Sequence, residues 1–320
     1  MLDKQVTKIK MVAYFKLLSA IGLWAGVYHV AKFLVGDVDI YTIAFLRFLI
    51  SSIVLLPIYL TKRGKPGIKL IKNNWLFLAI IGFFGSFLYN IFFLSAETYV
   101  SADDVALLYA FTPCITIIIG CVVFKQKINR NCIFGILVAL FGTIGVINEN
   151  SILCGKYFCA NIINGGFSIG QQLALLATLT MAIYNVLNKK ALMSNLDSVT
   201  IVTGSSFFGM VFSFITFLIN SNHKAVILHM PFSFWWAMFY ISVLSTIIGY
   251  KWYSDAIHHI GILQTVVFQN TLPFITILIG MFFLGESIKL QVFIFGIIIA
   301  LGVIITNYAI LDTNKYHPKD

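Results

Sequence analysis

Leu107 to Val123 reads LLYAFTPCITIIIGCVV, and Val267 to Phe283 reads VFQNTLPFITILIGMFF. Pro113 and Pro273 are 160 positions apart. At that offset Ile115 falls on Ile275, Thr116 on Thr276, Ile117 on Ile277, Ile119 on Ile279 and Gly120 on Gly280. Each stretch reads as an apolar helix with a proline in its middle, and the chain contains it twice.

Outside these stretches the chain has the same character. Of 320 residues, 59% are hydrophobic and 11% charged, against about 25% charged in a soluble domain. Apolar runs of about 20 residues recur throughout, the length that crosses a bilayer core as a helix. Strict apolar–polar alternation is absent, which argues against a membrane β-barrel. The runs predict ten spans, at about 12–35, 40–61, 74–95, 102–124, 131–148, 169–189, 199–220, 232–256, 261–284 and 290–311.

Taken alone, the formal charge of +10 points to nucleic acid, but its distribution does not. With the N-terminus in the cytoplasm, inside segments hold Lys4, Lys8, Lys10, Lys62, Arg63, Lys65, Lys69, Lys72, Lys125, Lys127, Arg130, Lys189, Lys190, Lys315 and Lys319. Outside loops hold only Lys156, Lys224 and Lys289. Acids Asp37, Asp39, Glu97, Asp103, Asp104, Glu149 and Glu286 fall outside. Positive charge kept inside is a topology signal. It predicts an integral plasma-membrane protein with both termini cytoplasmic, in contact with lipid and with no nucleic-acid partner. Only Arg47, Arg63 and Arg130 are arginine, a lysine bias that fits an AT-rich genome. Cys114, Cys121 and Cys132 lie in or beside apolar runs as small hydrophobes. Cys154 and Cys159 share a polar loop, where a disulfide stays open. No cleavable signal peptide is evident, because the first apolar run is long and lacks a clear small-x-small site.

The halves resemble each other beyond the prolines. Trp75 pairs with Trp235 and Ala96 with Ala256 at the offset of 160. Tyr28-His29-Val30 pairs with Tyr184-Asn185-Val186 at 156, and Gly135 through Leu140 with Gly296 through Leu301 at 161. The chain divides into a first repeat (1–148), an outside connection (149–168), a second repeat (169–312) and a cytoplasmic tail (313–320). Five spans is an odd number, so the two copies must enter the membrane from opposite sides. The fold class expected is all-α integral membrane, with ten helices in two five-helix inverted-topology repeats and a substrate site where they meet.

The chain resembles the EamA-type branch of the drug/metabolite transporter superfamily. The matching residues run from Ala256 to Glu286, with the central Pro273 and the ending Leu284-Gly285-Glu286-Ser287-Ile288. Ser95-Ala96, Ser101-Ala102, Leu107-Leu108 and Pro113 match in the first repeat, with Lys125-Gln126-Lys127 where Gly-Glu is usual; Trp24 and Arg47 also fit. The resemblance implies a secondary transporter of small organic metabolites in a bacterial inner membrane, working by alternating access. Amino acids or related compounds are the implied class, and a nucleoside-linked metabolite such as S-adenosylmethionine is a narrower alternative. It specifies neither substrate nor oligomeric state.

Several side chains are candidates for the site. Pro113 frees the carbonyl of Tyr109, and Pro273 that of Gln269; both need a partner in lipid. Tyr109 and Thr112, and Gln269, Asn270 and Thr271, make the preceding turns polar or aromatic. This reads either as two kinked helices lining a cavity or as ordinary packing kinks. Trp24, Tyr28 and Lys32 share one helical face, echoed by Thr180, Tyr184 and Asn188. They form an aromatic wall for an organic, even cationic, substrate, or they pack between helices while Lys32 snorkels. Arg47 either binds an anionic group or is clamped by Asp37, Asp39 or a carbonyl. His29 either titrates near neutral pH or is simply hydrogen-bonded. Lys251 and Asp255, four apart, are expected to pair.

No carboxylate falls clearly at mid-span, so protons as coupling ion rest on His29 or an end carboxylate, and facilitated diffusion or exchange fits equally. No nucleotide-binding motif is present. The rival class, a polytopic membrane enzyme, lacks GxSxG and HExxH motifs, and Asp103-Asp104 lacks the following acid of a diphosphate-binding cluster. No catalytic residue, metal site or cofactor is assigned.

Overall fold

The computed structural model describes residues 2–100, 105, 108–125, 129–147, 168–220, 230–284 and 290–316. Among these no strand occurs, and nearly all of them are helical. Helix α1 is Leu2–Asp37, α2 Ile40–Asn73, α3 Trp75–Tyr99, α4 Thr112–Phe124 and α5 Arg130–Ile147. Then come α6 (Ile169–Met193), α7 (Ser198–Asn220) and α8 (Phe232–Ile260). Helix α9 joins Ile262–Val267, a 3-10 turn Phe268–Thr271 and Leu272–Leu284, and α10 is Leu290–Tyr316.

Seven of these, α1, α2, α3, α6, α7, α8 and α9, contain stretches long and apolar enough to cross a membrane. The other three contain shorter apolar helices, Thr112–Phe124, Arg130–Thr143 and Ile294–Thr306. Large apolar side chains such as Val122, Phe134, Phe141, Phe282, Phe283 and Ile304 point outward and are exposed. In water such a surface would aggregate; against lipid tails it costs nothing. The connection expected at 149–168 lies, up to residue 167, outside the described residues, as do Cys154, Cys159, Asp103, Asp104, Gly285 and Glu286.

Local sequence explains the helix ends. Asp39 caps α2, its carboxylate accepting from Thr42 N (2.9 Å) and from the Thr42 hydroxyl (2.6 Å). Gly64, at φ 54° and ψ −146°, divides α2. The lysine-rich residues beyond it, expected as an inside loop, form a further short helix. Gly261, at φ 94°, makes the one-residue turn between α8 and α9, a conformation that glycine adopts without steric cost.

The prolines correct the expected picture. Neither sits in the middle of a continuous helix. Pro113 opens α4, preceded by a turn at Ala110 and Phe111. Pro273 opens the last segment of α9, after the 3-10 turn. Proline lacks an N–H, which the first helical turn does not need, so both begin helices rather than bend them. The freed carbonyls find local donors. The Thr112 hydroxyl donates to Tyr109 O (2.6 Å), and Leu272 N donates to Gln269 O.

Helix pairing follows a regular plan. Helix α1 packs on α8, and α6 on α3; α1 packs on α9, and α6 on α4. Helix α2 lies against α7, and α5 against α10. The α5–α10 seam brings backbone onto backbone. A Cβ on Gly302 would run into Ala139 N and lie 2.7 Å from Ala139 Cα and from Gly135 O. Small residues at such seams let membrane helices approach closely.

Gly302→Val should therefore destabilise the fold by about 1–3 kcal/mol or more, because backbone cannot move aside. Gly22→Ala should be close to neutral, since nothing lies within 4 Å of a Cβ there. Fluorescence-detected size exclusion after graded heating compares the two; equal behaviour would contradict the seam.

Candidate functional site

Four helices aim side chains at the centre. On α1, Trp24 and Tyr28 are one turn apart and share a face. Helix α2 carries Arg47 two turns past its cap. Helices α3 and α8 each contain a π-helical stretch, Gly82–Leu88 and Tyr240–Gly249. Such wide turns rotate the next helical segment and are frequent at functional sites. They place Tyr89, Asn90 and Phe93 on one side and Ser245, Thr246 and Tyr250 on the other.

Between these groups lies a cavity of about 20 Å³. The first half of the chain lines it with Trp24, Tyr28, Arg47, Tyr89 and Tyr109, besides Val27 and Phe93. The second half contributes Met181, Ser245, Tyr250 and Leu272. That volume holds about one water, and nothing larger fits while the helices stay this close.

Arg47 is 4% exposed. Its Nε donates to Thr246 Oγ1 (2.9 Å), one terminal nitrogen to Asn90 Oδ1 (2.6 Å) and the other to Ser245 Oγ (3.4 Å). These acceptors are themselves held: Asn90 Nδ2 donates to Ser86 O (2.7 Å) and Thr246 Oγ1 to Ile241 O (2.7 Å). The guanidinium thus ties α2 and α3 of the first half to α8 of the second. Trp24 Nε1 donates to Ser245 O (3.1 Å), and its ring meets Tyr250 and Tyr253 at 5.2 and 5.0 Å. Tyr184 lies behind Tyr250, at 5.4 Å, and receives a hydrogen bond from Asn188 Nδ2 (3.3 Å).

Several buried polar atoms find no partner among the described residues: the hydroxyls of Tyr28 and Tyr253, Asn185 Oδ1, Gln269 Oε1 and both ends of the Asn270 amide. Buried polar groups are nearly always paired; of these, only the Tyr28 hydroxyl belongs to a residue that lines the cavity, where water or a ligand can meet it.

Of the residues singled out by sequence, Trp24, Tyr28, Arg47 and Tyr109 line one cavity. Gln269 reaches it indirectly, its Nε2 donating to the Tyr109 hydroxyl (3.4 Å). Tyr184 is one ring removed. Asn270 is fully buried, with its carbonyl taking the Thr143 hydroxyl at 3.4 Å. His29 is not part of the wall; its Nε2 lies 3.1 Å from Thr276 O, an ordinary hydrogen bond to backbone. Arg47 does not pair with Asp39, which serves the α2 cap.

Sequence alone did not single out Tyr89, Asn90, Ser245, Thr246 or Tyr250. The usable signal was the repeat itself: Ser86 and Thr246 are 160 apart, and Tyr89 and Tyr250 161 apart.

Ion pairs gather at one end of the bundle. Asp255 meets Lys251 at 2.8 Å, as its spacing predicted, and also Lys16 of α1 at 3.3 Å. Arg63 meets Asp197 at 2.7 Å. Near the other end Lys32 Nζ donates to Glu97 O (3.1 Å). Glu97, expected with the outside loops, lies in the last turn of α3 and is buried. Among the described residues no group of His, Cys, Asp and Glu has the arrangement of a metal site.

The sequence profile of the EamA-like transporter family matches residues 11–148 and again residues 168–308. The uncharacterized transporter YyaM of Bacillus subtilis is 27% identical over 96% of this chain and 97% of its own length. The uncharacterized transporter YetK of the same organism is 25% identical over 93% of this chain and 87% of its own length. An uncharacterized transporter of Archaeoglobus fulgidus is 24% identical over 89% and 93%. A solved crystal structure shares the fold, with a TM-score of 0.70 and 16% identity over 97% of this chain and 99% of that one. With both halves matched, the chain belongs to the EamA-like transporter family of the drug/metabolite transporter superfamily, and is a membrane transporter.

Proposed function

We propose that the protein is a secondary carrier of small organic metabolites, amino acids or related compounds, that works by alternating access. In this reading ten helices cross a bacterial inner membrane as two inverted five-helix repeats, with both termini inside. The observation that carries it is the central cavity, walled by aromatic rings and one guanidinium drawn from both halves of the chain.

The pairing of the helices supports the repeat. Exchanging each helix for the one five places along turns α1–α8 into α6–α3 and α1–α9 into α6–α4, and leaves α2–α7 and α5–α10 unchanged. A set of contacts that maps onto itself in this way is what a twofold relation between the halves requires. Rocking one half against the other would open the cavity first to one side and then to the other. The Lys16–Asp255 pair joins the first and second halves and would part when the inner side opens.

Counterflow in proteoliposomes tests the carrier reading. Preloaded unlabelled metabolite should drive transient uptake of the labelled compound against its gradient. Absence of counterflow across a broad metabolite panel, with protein that elutes as a folded species, would refute it. Gln269→Leu should leave membrane insertion intact and lower turnover about tenfold, roughly 1.4 kcal/mol of lost interaction; unchanged kinetics would remove Gln269 from the site. Pro113→Ala should let α4 extend toward Tyr109 and slow turnover more than it weakens binding. Equal losses in Kd and counterflow rate would indicate a direct effect on the site instead.

A further inference from the structure

We infer that Arg47 is the anchor for an anionic head group, and that the substrate is an organic carboxylate with an apolar or aromatic body. This rests on the carrier reading above and narrows it.

A guanidinium carries five N–H donors. Arg47 makes three hydrogen bonds, all to neutral oxygens: a threonine hydroxyl, a serine hydroxyl and a side-chain amide. It forms no salt bridge with any described carboxylate. Three of the described acids are engaged elsewhere. Asp39 caps α2, Asp255 takes Lys16 and Lys251, and Asp197 takes Arg63. A charge inside a membrane protein is costly and normally faces a partner or a water-filled path. Here the full positive charge borders the cavity, with two N–H donors left over.

The rest of the wall completes the recognition chemistry. The Tyr28 hydroxyl, 2% exposed, lines the same cavity and has no partner among the described residues. A carboxylate has two oxygens, and an arginine fork with a neighbouring hydroxyl suits them. Trp24, Tyr89, Tyr109 and Tyr250 supply ring surface for the remainder of the molecule. Among the described residues no acidic side chain lines the cavity. The buried Glu97 of α3 is near enough to act on Tyr28 and Tyr89 but does not line the cavity, so at the wall itself a cationic head group would meet a like charge, which disfavours the organic cation that the aromatic rings alone would admit. A carboxylate entering from water loses its hydration but neutralises a buried charge already present.

The test is thermal unfolding of purified protein followed by intrinsic fluorescence, with matched probes at one ionic strength. Two sets separate head-group charge from body: phenylacetate with phenylacetamide, and phenylalanine with phenylalaninamide. Ligand bound to the folded state raises the unfolding temperature. In at least one set the carboxylate should raise it by about 2 °C or more while its amide does not. Arg47→Gln should abolish the shift, and Arg47→Lys, which keeps the charge without the fork, should reduce it. An equal or larger shift from the amides, or no shift from any of the four compounds, overturns the assignment. Wild-type protein alone decides those outcomes, so a poorly folding variant does not shelter the proposal. Counterflow of a neutral or cationic metabolite would leave the carrier reading standing while this assignment fails.

Discussion

A backbone carbonyl inside a bilayer has no water to turn to, and that constraint shapes this protein at every level. It explains why nearly all of the described residues are helical. It explains the care taken wherever a helix is interrupted. At Tyr109 the carbonyl left over before Pro113 is taken by the hydroxyl of Thr112, and at Gln269 the 3-10 turn brings Leu272 N into range. In the π-helical stretch of α8 the Thr246 hydroxyl donates to Ile241 O while accepting from Arg47. Each irregularity faces the centre of the bundle, where protein can supply the missing partner.

The helices were legible because hydropathy is a strong signal. The expected span starts at 40, 131, 169, 199, 232 and 290 lie within one residue of the observed helix starts. The proline stretches depart from expectation in detail for a physical reason. In an unbroken apolar run, a proline that opens a helix and one that bends it give the same local pattern. The polar residues just before each proline carried the difference. For the site, Trp24, Tyr28, Arg47 and Tyr109 stood out as polar or amphipathic groups within apolar spans. Tyr89 and Tyr250 did not, because the π turns that aim them inward have no signature in a 3.6-residue period. His29 lies outside the cavity wall by helix geometry: one residue from Tyr28 is about 100° around the helix, which turns it toward α9 and Thr276.

The two halves agree in packing and differ in charge. At the offset that aligns Tyr28 with Tyr184, Arg47 falls on Thr203. The family profile matches both halves, and both line the cavity, while its guanidinium lies in the first alone. The hydrogen bonds from Arg47 to Asn90, Thr246 and Ser245 also mean that this guanidinium is one of the groups joining the halves across the cavity.

The proline breaks have a further electrical consequence. Helix α4 starts at Thr112 and the last segment of α9 at Leu272. The Gln269–Tyr109 contact, at 3.4 Å, lies three residues before each start. The side chains of Gln269 and Tyr109 thus meet just ahead of two helix amino ends, each equivalent to about half a positive charge. Both ends have the same sign as Arg47 and add to its potential. The potential at this centre is thus set partly by the peptide backbone, and each proline, by fixing where its helix begins, decides where that contribution falls.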